Sequence, residues 1–141
     1  MLLGEEKGDT MIKVAVTSVF VDDQEKAKGF YTGVLGFAVK HDVPLGGDAR
    51  WLTVVSPADP EGVELLLEPN GTPIAQTYQR GVREAGLPVI ILAVDDLAKE
   101  HERLTGLGVR FTAPPTQTGP VLSAILDDTC GNLVSLQQPL G

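Results

Sequence analysis

Apolar and polar positions along this chain follow a pattern that occurs twice. The first occurrence begins with IKVAVTSVFV over residues 12–21, mostly β-branched or aromatic, which reads as a buried strand with Val14, Val16, Ser18 and Phe20 sharing one face. Asp22 or Asp23 can cap the helix that follows, and Glu25 stands three residues after Asp22, as a capping box requires. Ala27, Phe30, Tyr31, Val34 and Leu35 then fall on one helical stripe that Gly36 ends. Three strands are predicted next, over 37–43, 50–56 and 62–68, with turns at Pro44-Leu45-Gly46-Gly47 and Pro57-Ala58-Asp59-Pro60. Alternation in the last strand puts Glu64, Leu66 and Glu68 on one face and Val63, Leu65 and Leu67 on the other.

The second occurrence is a worn copy. Val94-Asp95-Asp96 repeats Val21-Asp22-Asp23 at a distance of 73 residues, and Leu107-Gly108 repeats Leu35-Gly36 at 72. A strand over 89–94, a helix capped by Asp96 with Leu97, His101 and Leu104 on its stripe, and strands over 109–113, 121–127 and 132–138 restore the order. Between the copies, residues 69–73 are turn-rich and residues 74–85 form a short helix ended by Gly86 and Pro88. The pattern therefore predicts an α+β domain of two tandem βαβββ modules: module 1 over 12–68, a connector over 69–88 and module 2 over 89–138, after a flexible tail over 1–11.

Composition narrows the possibilities further. A chain of 141 residues suits one compact domain, and 43% hydrophobic with 21% charged residues is the balance of a folded globular protein. The longest apolar run, over 89–94, is far below the roughly 18 residues needed to cross a bilayer. The opening MLLGEEKGDT lacks the apolar core of a secretory signal, and one cysteine allows no internal disulfide, so a cytoplasmic location is expected. A net charge of −8 repels phosphate backbones, which argues against nucleic acid as a partner. No glycine-rich phosphate loop follows a strand, and no nucleophile elbow is present.

The pair of modules, with VDDQEKAKGFYTGVLGF, RWLTVVSP and DDTCGNLVSL as its motifs, resembles the vicinal oxygen chelate superfamily of glyoxalases, bleomycin resistance proteins and extradiol dioxygenases. The resemblance runs from Met11 to Pro139. It implies that each module curls into a half-open barrel around a cavity, often at a homodimer interface. Metal-dependent members of that family place His, Gln or Glu at four cavity positions, which fall here on Val16, Glu64, Val89 and Ser135. Only Glu64 is a good ligand, whereas a catalytic metal needs about three from imidazole, thiolate or carboxylate. A metal-free cavity without a cofactor is the expectation.

Candidate site residues follow from these assignments. Glu64 is the one catalytic candidate: a relict ligand, a general base or an anchor for a cation, against the plain alternative of a solvated strand carboxylate. Trp51 and Tyr78 can form a stacking wall, although core packing is the first expectation for Trp51, while Ser18, Arg50, Ser135 and Gln137 can supply polar contacts. His41 and His101 are read as packing or surface residues, and Cys130 as a turn thiol open to solvent. The resulting expectation is a homodimer that binds a small organic molecule, cationic or aromatic. Two alternatives remain: a lyase, isomerase or dioxygenase that uses Glu64, and a dimeric non-catalytic domain whose cavity has collapsed.

Overall fold

The structure, a computed structural model, describes residues 11–141, so the expected tail lies outside the described residues except for Met11. The elements run β1 (Val16–Val21), α1 (Gln24–Gly29), β2 (Ala38–Gly46), β3 (Ala49–Val55), β4 (Glu64–Pro69), α2 (Pro73–Glu84), β5 (Ile91–Ala93), α3 (Leu97–Gly106), β6 (Phe111–Thr118), β7 (Val121–Asp127) and β8 (Leu133–Pro139). They build two open four-stranded sheets, ordered β1-β4-β3-β2 and β5-β8-β7-β6. In each sheet the module's first strand lies parallel to its last, and the other pairs are antiparallel. This is the predicted pair of βαβββ modules.

Local chemistry explains the boundaries that differ from the sequence reading. β1 starts at Val16, not at residue 12, because β4 starts at Glu64. Upstream of Val16 the Ala15 carbonyl accepts from the Glu64 N–H at 3.0 Å, the one hydrogen bond of residues 11–15 among the described residues, and residues 11–15 are exposed. Asp23 caps α1 by accepting from the Lys26 N–H. The helix then widens into a π-turn over Phe30–Val34, where the Leu35 N–H reaches back five residues to the Phe30 carbonyl at 3.0 Å. That turn buries Phe30 and Tyr31 together. β6 continues to Thr118 through Pro114 and Pro115, which an edge strand tolerates, and its register slips there.

Both helix-facing sheet surfaces join in one core. Val19, Val21, Leu52, Val54, Leu65 and Leu67 from the first module meet Ala124, Leu126, Val134 and Leu136 from the second, with Ala27, Phe30, Tyr31, Leu97 and Leu104 between them. Each such buried aliphatic or aromatic side chain contributes about 2 kcal/mol. A polar seam ties the modules at one end. The Asp128 carboxylate, fully buried, accepts from the Tyr31 hydroxyl at 2.7 Å, the Cys130 N–H at 2.7 Å, the Asn132 N–H at 3.0 Å and Asn132 Nδ2 at 2.8 Å. α1, α3 and the seam occupy one side of the sheets, while α2 borders the opposite face at β1, where Tyr78 meets Phe20.

Candidate functional site

Alternation along the strands decides which side chains reach the open face of the first sheet. Val16, Ser18 and Phe20 of β1 stand opposite Glu64, Leu66 and Glu68 of β4, while Thr53 of β3 pairs with Leu66 on one side and His41 on the other. Trp51, paired with Val43, is 37% exposed here and is not part of the core. His41 Nε2 lies 3.8 Å from Glu64 Oε1, although β3 runs between their strands, so the two side chains meet across it. Thr53, on the intervening strand, is fully buried and its hydroxyl has no hydrogen-bond partner. An orphaned buried hydroxyl costs about 1–3 kcal/mol, so it calls for a partner.

Arg50 takes no part in this face. It sits one residue from Trp51 and therefore points to the helix side, where it bonds Asp42 at 3.0 Å and pairs with Glu25 at 3.0 Å. Arg50 and Lys28 together pull the Asp42 carboxyl down to about 2. Gln24 of α1 also reaches through to this end of the sheet. Its Nε2 donates to the Arg50 and Leu67 carbonyls, both at 2.8 Å, and its Oε1 accepts from the Arg50 N–H at 3.1 Å. Direct β3–β4 pairing is confined to Thr53 with Leu66 and Val54 with Leu65, so the Gln24 amide fills the gap at the Trp51 end.

The open face of the second sheet is more aliphatic. Ser135 stands opposite Ile91 and Ile125, and Gln137 opposite Ala93 and Ser123. Ser135 is buried, while Ile91 is 61% exposed. Val89 adjoins this face, its N–H bonded to the Leu133 carbonyl at 2.9 Å. Asp127 at the rim is engaged by Arg83 at 2.6 Å; burial raises its carboxyl, but the bonds from Arg83 and the Thr129 N–H outweigh that and leave it below the usual range.

A pocket of about 460 Å³ opens beside β1, lined by Ser18, Phe20, Ile74, Tyr78, Gln79, Val89 and Asn132 among others. It brings together three residues singled out from the sequence, Ser18, Tyr78 and Val89, whereas Trp51, Glu64, Ser135 and Gln137 lie on the sheets outside it. Phe20 and Tyr78 meet edge to face with centroids 6.2 Å apart. The polar lining is fixed: Gln79 Nε2 reaches the Phe20 carbonyl at 2.9 Å, and Asn132 Nδ2 reaches the same carbonyl at 2.7 Å. A second pocket, of about 390 Å³, lies between Leu35–Phe37 and Ile91–Val94 and contains none of the other ligand-binding candidates.

Several functional assignments change with these positions. His41 belongs beside Glu64, and Thr53, Gln79 and Asn132 were not singled out at all; nothing local to them gives a signal, since each acquires its role across strands or modules. Cys130 is fully buried rather than open to solvent. Burial, with the Asp128 carboxylate, pushes its thiol up to about 12, so it is no nucleophile at neutral pH. His101 packs edge to face on Phe111 at 4.5 Å, away from the open faces.

The donor set does not suit a catalytic divalent metal. Among the described residues no three His, Cys, Asp or Glu side chains come together, and the positions that the resemblance implies as ligands, Val16, Glu64, Val89 and Ser135, include one carboxylate. His41 adds a single imidazole to that carboxylate, which is still one ligand short.

Comparison with known proteins agrees with the architecture. The pattern of the Glyoxalase/Bleomycin resistance protein/Dioxygenase superfamily matches residues 13–136. The chain belongs to this superfamily. Within it, the chain is similar to the uncharacterized protein YurT of Bacillus subtilis strain 168, at 51% identity over 90% of this chain and 99% of YurT. The crystal structure of UcmS2 superposes with a TM-score of 0.78 at 32% identity, covering 91% of this chain and 98% of that one. TnmS3, an antibiotic binding protein from Streptomyces sp. CB03234, superposes with a TM-score of 0.73 at 30% identity over 92% and 98%. Superfamily membership fixes the scaffold and leaves the chemistry to the side chains.

Proposed function

We propose that this superfamily member is a cytoplasmic, homodimeric, metal-free binding protein that holds a small apolar or cationic organic molecule. The reading rests on the positions that the family resemblance implies for metal ligands, which here are Val16, Val89 and Ser135 beside a single carboxylate, Glu64, and on the lack, among the described residues, of any three His, Cys, Asp or Glu side chains that come together. The pocket with Phe20 and Tyr78, the exposed Trp51 and the likeness to TnmS3, an antibiotic binding protein, support an organic ligand. A second copy is the natural cover for two open faces that expose Val16, Trp51 and Ile91.

Thermal denaturation against polycyclic aromatic antibiotics, cationic glycopeptides and aromatic metabolites tests the binding. At a hundredfold excess over its Kd, a true ligand raises the midpoint by about 5–10 °C. No shift with any compound would sink the reading. Elemental analysis tests the other half: purified protein is expected to hold no stoichiometric zinc, nickel, iron or manganese. A metal that is lost on Glu64→Ala would instead make this a metal enzyme.

A further inference from the structure

We propose that the open face of the first sheet carries a subsite for a primary or secondary ammonium group, held between Glu64 and the Thr53 hydroxyl beside Trp51. The inference rests on the small-molecule binding proposed above and names the class of molecule. Its foundation is two unmet hydrogen-bonding needs on adjacent strands, Glu64 lying two residues along β4 from Leu66, the residue opposite Thr53. The Glu64 side chain is only 21% exposed and accepts no hydrogen bond among the described residues; His41, at 3.8 Å, is beyond hydrogen-bond range. The Thr53 hydroxyl is fully buried without a partner.

An N–H-bearing cation answers both needs at once. It donates to the carboxylate and to the hydroxyl oxygen and neutralises a charge that, among the described residues, no lysine or arginine pairs with, since Lys28 and Arg50 bind Asp42 and Lys40 binds Glu61. A divalent metal is poorly served by one carboxylate and one hydroxyl, and an anion is repelled. His41 is about half exposed, so its ring can move aside for the incoming group.

The rest of the ligand has a direction. His41, Thr53, Leu66 and Ser18 form one row across four adjacent strands, each step about 4.8 Å. From Thr53 the row therefore runs two steps, roughly 10 Å, to Ser18, where the pocket with Phe20 and Tyr78 begins. The class that fits is an arylalkylamine with its ring against Trp51 or toward that pocket.

Calorimetric titration of the intact protein with tryptamine, its quaternary trimethylammonium analogue and the neutral alcohol tryptophol tests the subsite. Tryptamine is expected to bind about tenfold more tightly than either. Glu64→Gln should bring tryptamine and tryptophol level. Thr53→Val should keep the melting temperature at or above the parent's, because the hydroxyl has no bond to lose, while removing the advantage of tryptamine over its quaternary analogue. Equal binding of all three probes, or a tryptamine preference that survives Glu64→Gln, overturns the subsite and leaves small-molecule binding standing. Binding of none of the three also overturns it, and the wider compound series then decides the proposed function separately.

Discussion

The two modules share a topology but divide the labour of the molecule differently. In the first, the open face carries Glu64, Glu68, His41, Trp51 and a buried hydroxyl without a partner. In the second, the corresponding face carries Ile91, Ala93 and Ile125 with Thr116, Thr118, Ser123, Ser135 and Gln137 as uncharged polar side chains, while its turn after β7 is buried in the seam. Duplication supplied two equal scaffolds; divergence gave one the unmet polar groups and the other the fastening. Ligand chemistry is therefore expected to follow module 1, and module-to-module stability the β7–β8 turn.

The strongest way to break this contrast is to substitute the turn glycines. Gly131 has φ +102°, and an added Cβ would lie 2.6 Å from Gln79 Nε2, itself bonded to Phe20 and Cys130 carbonyls. Gly131→Ala should destabilise by about 3 kcal/mol in urea unfolding. In module 1 the Cβ of Gly62→Ala would meet chiefly the carboxylate of Asp59, an exposed side chain free to swing away, so about 1 kcal/mol is expected. Equal losses at the two sites would refute the division of roles.

A mid-sized test concerns the helix stripes. Tyr31 and Leu104 occupy equivalent places 73 residues apart, both buried, but only Tyr31 sends a hydroxyl across the seam to Asp128. Tyr31→Phe keeps the packing and removes one of four donors from a buried carboxylate, a loss of about 2 kcal/mol in the same assay. Burial, reinforced by Asp128, holds the Tyr31 phenol well above its ordinary range, so the bond persists throughout the working pH range.

The smallest effect lies on the helix side of module 1. Asp42, at about 2, contributes stability that is present above the ordinary carboxylate pKa near 3.8 and lost as pH falls through 2. The difference in urea midpoint between the parent and Asp42→Asn should therefore be open at pH 6 and closed near pH 2. Molar salt should also narrow it, because the pair is largely solvated. No such acid occurs along β6, the matching strand of module 2.

Much of this division could be read along the chain, and the part that could not has a common cause. Apolar period, capping aspartates and the 73-residue repeat are local or self-referential, so the succession of elements in the two βαβββ modules and the shared facing of Glu64, Leu66 and Glu68 came out of the sequence. Arg50 was placed among the contacts as a polar residue on a strand face; its face is the helix side, where it pairs with Asp42, eight residues away on another strand. The π-turn at Phe30 answers the packing of Tyr31 against module 2, which no window of module 1 contains. His41 looked solitary because its partner Glu64 lies two strands away. Thr53 is orphaned only once that pair meets over its strand, and Cys130 is buried only once the seam forms.

Gln24 has an outcome larger than its own bonds. Its amide stands between β3 and β4 like a shim in a joint, inserted from behind and setting how far the front gapes near Trp51. The breadth of molecule admitted is thus adjustable from a residue that no guest ever meets, so relatives could change their preferences while every contacting side chain stayed the same.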